Sequence, residues 1–166
     1  MEIITSLEAV KTEYSPSVIA LGTFDGLHLG HQDIIETARD YAQKHGLKLI
    51  LFTFSNHPLS LIKPDLVPVR IITQQQKIKY LEKLGVDILV NVPFDHDLAG
   101  LSPDEFLKKL AVFNYRCLVV GENFSYGFLG SGKTDTLQRT GLHDHFTVII
   151  RRLVKCGKKV ISSTGI

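Results

Sequence analysis

The sequence predicts an α/β domain in which a mostly parallel sheet is covered by helices on both faces. Three observations predict it. Short apolar runs rich in β-branched and aromatic residues alternate with amphipathic helical stripes. At 166 residues the chain has the length of one compact domain with a real core. No internal repeat, low-complexity tract or linker-like stretch divides it.

In chain order, the runs at 18–21, 49–54, 88–92, 117–120 and 147–150 read as buried strands. After the first, Ile34, Ile35, Ala38, Tyr41 and Ala42 fall on one helical stripe, and Gly46 stands where a left-handed residue would end it. A second helix opens on a capping box at Thr73 and Gln76, turns Ile78, Leu81 and Leu84 inward, and stops at Gly85. In the third, Ser102 is the N-cap, Pro103 the first helical residue and Glu105 the third. Its apolar face is Phe106, Leu107, Leu110 and Ala111. Segments 55–72 and 121–141 follow neither period and read as long loops carrying Pro, Gly, His and aromatics, a place where function concentrates. A parallel sheet of this kind binds its ligand at the strand carboxyl ends.

Composition narrows the partner. With 19 Lys+Arg against 17 Asp+Glu, the net charge of +2 lacks the basic excess of a nucleic-acid binder, while a small anion still fits. Hydrophobic residues at 44% and charged residues at 22% exclude a disordered or fibrous chain. No apolar run approaches the roughly 20 residues of a membrane span. Met1-Glu2-Ile3-Ile4-Thr5 is not a secretory leader, so no membrane partner is expected. Cys117 and Cys156 are too few for a disulfide framework, which fits a reducing, cytoplasmic compartment.

The strongest motif is Gly22-Thr23-Phe24-Asp25-Gly26-Leu27-His28-Leu29-Gly30-His31, because it joins the first strand to the first helix. Glycines there admit an anion to the backbone, and the helix start offers free amides. His28 and His31, three apart, suit phosphate oxygens and the charge that builds during phosphoryl transfer. The alternative is a glycine-rich turn with two surface histidines; a zinc site lacks a third nearby ligand. The spacing fits neither a dinucleotide fingerprint nor a Walker lysine loop.

Residues 127–134, Gly-Phe-Leu-Gly-Ser-Gly-Lys-Thr, do satisfy the P-loop pattern. Their context does not: Glu122 to Tyr126 separate them from the preceding strand, and no strong apolar stripe follows. A flexible loop near phosphates is the reading favoured here. His57-Pro58 follows a strand end and is a ligand contact or a plain turn; Arg70 is a phosphate contact or a solvated side chain. Asn123, Phe124 and Tyr126 offer an amide and aromatic faces to a planar ring, or loop packing. His143 and His145 lack an accompanying cysteine pair for zinc. Ser162-Ser163-Thr164 are hydroxyls for phosphate oxygens or a polar tail.

Taken in order, these motifs resemble the FMN adenylyltransferase (FAD synthetase) domain of the bacterial bifunctional riboflavin kinase/FAD synthetases. The matching stretches begin with 21–32, Leu-Gly-Thr-Phe-Asp-Gly-Leu-His-Leu-Gly-His-Gln, and 54–58, Phe-Ser-Asn-His-Pro. They continue with Pro93-Phe94-Asp95, with 101–106 and 119–124, and end at Ile161-Ser162-Ser163-Thr164.

The resemblance implies a Rossmann-like nucleotidyltransferase fold over residues 1–166, and transfer of AMP from ATP to FMN with release of pyrophosphate. It implies Mg2+ accompanying ATP, with FMN as substrate and FAD as product. His28 and His31 would be catalytic. ATP would be held by Gly22, Thr23, Phe24, Gly30, Ser163 and Thr164, and FMN by His57, Arg70, Asn123 and Phe124. No metal ligand among the protein side chains is implied. The family usually has proline where Asn56 stands, and an arginine that would lie just beyond Ile166. A chain ending before that arginine and without the riboflavin kinase module gives a second expectation: a nucleotide- and flavin-binding domain with little turnover.

Overall fold

Apolar, β-branched runs have one low-energy solution once both their faces are covered, a parallel sheet with its ladder hydrogen bonds made internally. A computed structural model describes residues 1–10, 14–22, 29–55, 74–122, 124–127, 130–152, 154–156 and 159–161. In chain order the strands are β1 Glu2–Ile4, β2 Ser17–Leu21, β3 Lys48–Phe54, β4 Ile88–Val92, β5 Tyr115–Gly121, β6 Ser125–Tyr126, β7 Gly132–Lys133, β8 Thr147–Arg151, β9 Val154–Cys156 and β10 Lys159–Ile161. The helices are α1 Leu29–His45, α2 Gln74–Lys83, α3 His96–Ala99, α4 Pro103–Leu110 and α5 Thr134–Asp144. Six strands form one sheet in the order β1-β4-β3-β2-β5-β8, every neighbouring pair parallel.

Each predicted strand exists, one or two residues longer at an end in most cases. The central strand β2 is buried at all five positions. Strand β8 departs from the expectation of a buried strand: its ends are exposed and its middle half-buried, because among the described residues only β5 pairs with it. The edge strand β1, with a single buried residue, has no periodic signal to announce it.

Alternation along the strands sorts the core into two layers. Val18, Ala20, Leu51, Leu89 and Val119 lie beneath Ile34, Ile35, Ala38 and Ala42 of α1 and Leu81 of α2. On the other face Ile19, Leu21, Phe52, Leu118 and Val120 lie beneath Phe106, Leu107 and Leu110 of α4, with Leu137 of α5. Helices therefore cover both faces, as predicted. Gly46 and Gly85, at φ of 66° and 87°, supply the left-handed residues that end α1 and α2. The capping box expected at Thr73 involves a residue outside the described ones.

The start of α4 is as predicted. Ser102 Oγ accepts from the Glu105 N–H at 3.2 Å, and Glu105 Oε1 accepts from the Ser102 N–H at 3.2 Å. Ala111, expected on the apolar face, is instead exposed, because the chain tightens into a 3-10 turn there and rotates it outward.

The segment 121–141 is not a loop. It holds β6, β7 and most of α5, whose buried side is only Leu137 and Gly141. A Cβ on Gly141 would sit 2.8 Å from the Phe146 carbonyl oxygen, so this helix is fastened by close backbone approach rather than by a stripe. The other expected loop, 55–72, lies outside the described residues after Ser55. Among the described residues no helix is long and apolar enough to cross a membrane.

Replacing Ser102 with Ala removes the Oγ acceptor of the capping box. It should lower unfolding free energy by about 1 kcal/mol, read by urea denaturation. Burial pushes the Cys117 thiol up to about 12, and burial likewise takes the Tyr115 phenol to about 12. Groups raised in the folded chain contribute stability that is whole below their unfolded values and lost as pH climbs through the folded ones. Stability should thus decline above about pH 9. Peptide mapping after iodoacetamide treatment at pH 8.5 should find Cys117 unmodified in the native protein and alkylated in urea.

Candidate functional site

The strand order defines a crevice. From β2 the chain moves through β3 to β4 on one side, then returns to β5 on the other side of β2. Ligands of open parallel sheets bind where the order reverses in this way, at the carboxyl ends of the two strands that diverge.

What lines that edge follows from register and alternation. On the face covered by α1 and α2, one row across the sheet is Leu89, Leu51, Ala20, Val119 and Ile149, all apolar. Two residues further along each strand the row becomes Asn91, Thr53, Gly22, Gly121 and Arg151. Thr53 is paired with Asn91 and Gly121 with Arg151, while the Gly22 N–H donates to the Phe52 carbonyl at 3.2 Å. At the reversal itself, beyond the last β2–β5 pair of Ala20 with Val119, the next position on this face of each chain segment is a glycine, Gly22 and Gly121. A Cβ on Gly121 would already touch Ile34 Cδ1 of α1 at 3.4 Å.

Helix α1 runs antiparallel to the strands it covers. Asp33 near its start meets Arg151 at the carboxyl end of β8, and Tyr41 near its end meets Thr147 at the amino end of β8, Oη to Oγ1 at 3.4 Å. Its amino-terminal amides accordingly face the crevice, with the partial positive charge of a helix start and no acidic residue in the first turn. The Asp33–Arg151 pair is bidentate: Nε donates to Oδ2 at 2.8 Å and Nη2 to Oδ1 at 3.0 Å. The carboxylate holds the guanidinium above its usual range, and the Arg151 carbonyl also accepts from the Glu122 N–H at 3.0 Å.

The row's other end is polar and enclosed. Lys77 of α2 is 4% exposed and its Nζ donates to Thr53 Oγ1 at 3.5 Å. Asn91 Oδ1 is buried with no hydrogen-bond partner among the described residues. Sequence reasoning missed Asp33, Thr53, Lys77, Asn91 and Arg151. Their only sequence signal is that polar residues interrupt an apolar run at its carboxyl end, as at Thr53 and Asn91.

On the opposite face, aromatic rings follow the same edge. Phe94 meets Phe54 at 5.2 Å, Phe54 meets Phe52 at 5.7 Å, and Phe52 meets Phe106 at 5.7 Å, each edge-on. Phe106 then meets Tyr126 at 6.0 Å, and Tyr126 stacks on Phe124 at 5.7 Å with 14° between planes. Burial raises the Tyr126 phenol, with Asp104 adding to it.

Of the residues singled out in the sequence, Gly22 directly follows β2, and Gly30 and His31 lie in the first turn of α1. Phe124 is half-buried against Tyr126. Thr23, Phe24, His28, His57, Arg70, Asn123, Ser163 and Thr164 lie outside the described residues. His143 pairs with Asp144 at 2.8 Å, and His145, at φ 64°, caps α5. Among the described residues no group of three His, Cys, Asp or Glu could hold a metal ion.

The P-loop pattern has a different explanation. Strands β6 and β7 form an antiparallel hairpin with Ser125 opposite Lys133, so Lys133 is extended, at φ −122° and ψ 175°, rather than cradling a phosphate from a flexible loop. A Cβ on Gly127 would lie 2.8 Å from Pro103, and one on Gly132 2.6 to 2.8 Å from the Tyr126 ring. These glycines exist for packing. Gly132→Ala should therefore destabilise the protein by about 1–3 kcal/mol, whereas Lys133→Ala should stay within about 0.5 kcal/mol, both read by urea denaturation.

A cleft of about 370 Å3 lined by Thr5, Glu8, Val92, Asp95, Asp97 and Lys109 lies at the carboxyl end of β4, two strands from the reversal.

The family model described as FAD synthetase matches residues 10–165. The bifunctional riboflavin kinase/FMN adenylyltransferase of Bacillus subtilis is 36% identical over 93% of this chain and 49% of its own length. The enzyme of the same name from Escherichia coli K12 is 31% identical over 90% of this chain and 48% of its own. The chain spans about half the length of these curated relatives. A crystal structure described as a macrolide-efflux protein from Streptococcus pneumoniae superposes at a TM-score of 0.81 with 30% identity, covering 98% of this chain and 54% of that one. Pantothenate synthetase from Thermus thermophilus superposes at 0.59 with 15% identity, over 98% of this chain and 66% of that one, which shows a shared fold.

Proposed function

From a chain that belongs to the FAD synthetase family, we propose that residues 1–166 form an FMN adenylyltransferase domain, transferring AMP from ATP to FMN. The observation that carries this reading is the crevice itself. The Gly22–His31 motif starts just past the end of β2 and finishes in the first turn of α1, so both ends of the segment bearing His28 border the crevice, which supports an anion site there. The relatives' names pair the activity with a riboflavin kinase; no residue of this chain is assigned to riboflavin phosphorylation.

In the proposed reaction a phosphate oxygen of FMN attacks the α-phosphorus of ATP. One P–O–P bond forms, the bond to the β-phosphate breaks, and pyrophosphate leaves. No covalent enzyme intermediate is required. Positioning and charge stabilisation are the whole of the protein's task. His28 and His31 donate hydrogen bonds to the phosphates. Gly22, Thr23, Phe24 and Gly30 border the nucleotide, and Ser163 and Thr164 add hydroxyl contacts. His57, Arg70, Asn123 and Phe124 are assigned to FMN, and the Phe124–Tyr126 stack supports an apolar flavin side. Mg2+ is part of this proposal, as an ion that would accompany the ATP phosphates and offset part of their charge. A reducing, cytoplasmic setting belongs to the same proposal.

The test is pyrophosphate release from ATP and magnesium with a panel of acceptors: FMN, pantetheine phosphate and nicotinamide mononucleotide. FMN-dependent release is expected, with kcat falling at least about 100-fold in His28→Ala and His31→Ala and unchanged in Lys133→Ala. Release with another acceptor alone overturns the flavin assignment. Loss of ATP binding in Lys133→Ala with none in His28→Ala overturns the site.

A further inference from the structure

The Asp33–Arg151 pair joins residues 118 apart in sequence and sits directly beside the crevice, on the register row that contains Gly121. Exposed ion pairs usually contribute little, and the exceptions are bidentate arginine–carboxylate pairs held in one geometry. This pair is of that kind. Its fork makes two hydrogen bonds at 2.8 and 3.0 Å, and the Arg151 backbone is pinned separately by the Glu122 N–H.

Asp33 is the fifth residue of a helix whose amide end faces the proposed anion site. A bare carboxylate there would oppose the field of those amides and repel a triphosphate. No acidic residue stands in the first turn, so Asp33 is the first carboxylate an approaching anion would meet on α1. Resting on the nucleotide-site reading above, we propose that Arg151 is a positioning residue for ATP: by pairing with Asp33 it cancels the carboxylate charge near the start of α1, so that the helix's amide end stays favourable to the phosphates.

Charge cancellation orders the variants in a way that a simple structural tie does not. Arg151→Gln leaves Asp33 uncompensated. The double variant Asp33→Asn with Arg151→Gln has no charge to compensate. Asp33→Asn alone leaves a cation beside the crevice.

The experiment is calorimetric titration of the folded chain with an ATP analogue carrying a methylene between the α- and β-phosphates, alongside thermal melts of each variant. Arg151→Gln should weaken binding by about threefold to tenfold at low salt, and by less at 0.5 M salt. The double variant should recover most of that loss. Asp33→Asn alone should bind as tightly as the parent or more so, and Arg151→Lys, which loses the fork but keeps the charge, should bind within about twofold of it because the charge is what counts here. Equal weakening in Asp33→Asn, Arg151→Gln and the double variant would make the pair a structural tie and overturn the proposal, as would unchanged binding in Arg151→Gln. Binding of the analogue in this variant order without FMN-dependent pyrophosphate release would sink the reaction assignment and leave Arg151's role standing. No binding to the parent chain would sink both.

Discussion

The pairing of β2 with β5 is the constraint on which the rest of the structure depends. These strands lie far apart in sequence, with β3 and β4 between them, yet they pair from Ser17 and Tyr115 to Ala20 and Val119 at the centre of the sheet. Their adjacency forces the chain to reverse direction across the sheet, and the reversal parts the two connections that leave their carboxyl ends. It also buries β2 completely and gives α1 two strands to cover at once. The helix that follows the Gly22–His31 motif is therefore fixed by the core beneath it. Its amino end has no freedom to drift from the crevice.

The two faces of the sheet divide the work at that edge. Under α1 and α2 the apolar layer stops abruptly, and the next row is glycine at the centre with Thr53, Asn91 and Arg151 on either side. Under α4 the apolar layer continues to the edge as linked aromatic rings from Phe94 to Phe124. One side thus offers backbone, amides and charge, and the other offers ring faces. The proposed product, an anhydride joining a nucleotide to a flavin, needs both kinds of surface. Glycines 127 and 132, which look like parts of a phosphate loop, instead let the β6–β7 hairpin close on Pro103 and Tyr126 and hold the aromatic side in place.

How much of this could be read beforehand varies with the range of the forces involved. The five longer strands, α1, α2 and the capped start of α4 were legible because periodicity, Ser102 with Glu105, and terminal glycines act within a few residues. Helix α5 was not, because Leu137 and Gly141 are too few to make a stripe and its support is the Phe146 carbonyl and Tyr126 region outside the helix. Strand β1 was not, because three residues with one buried side chain carry no pattern. The order of motifs was enough for the family, and the FAD synthetase match over residues 10–165 agrees with it.

By itself the sequence determined the fold class, the family and the segment that leaves the central strand, since each is written in local spacing. Only the tertiary structure decided that Gly22 and Gly121 follow the last paired residues of β2 and β5, that Asp33 meets Arg151, that Lys77 reaches Thr53, and that Gly132 and Lys133 of a perfect P-loop pattern pair as a strand with Ser125 and Tyr126. Those facts depend on strand order and register, which pair residues roughly 100 positions apart and follow from burying both faces of one sheet at once.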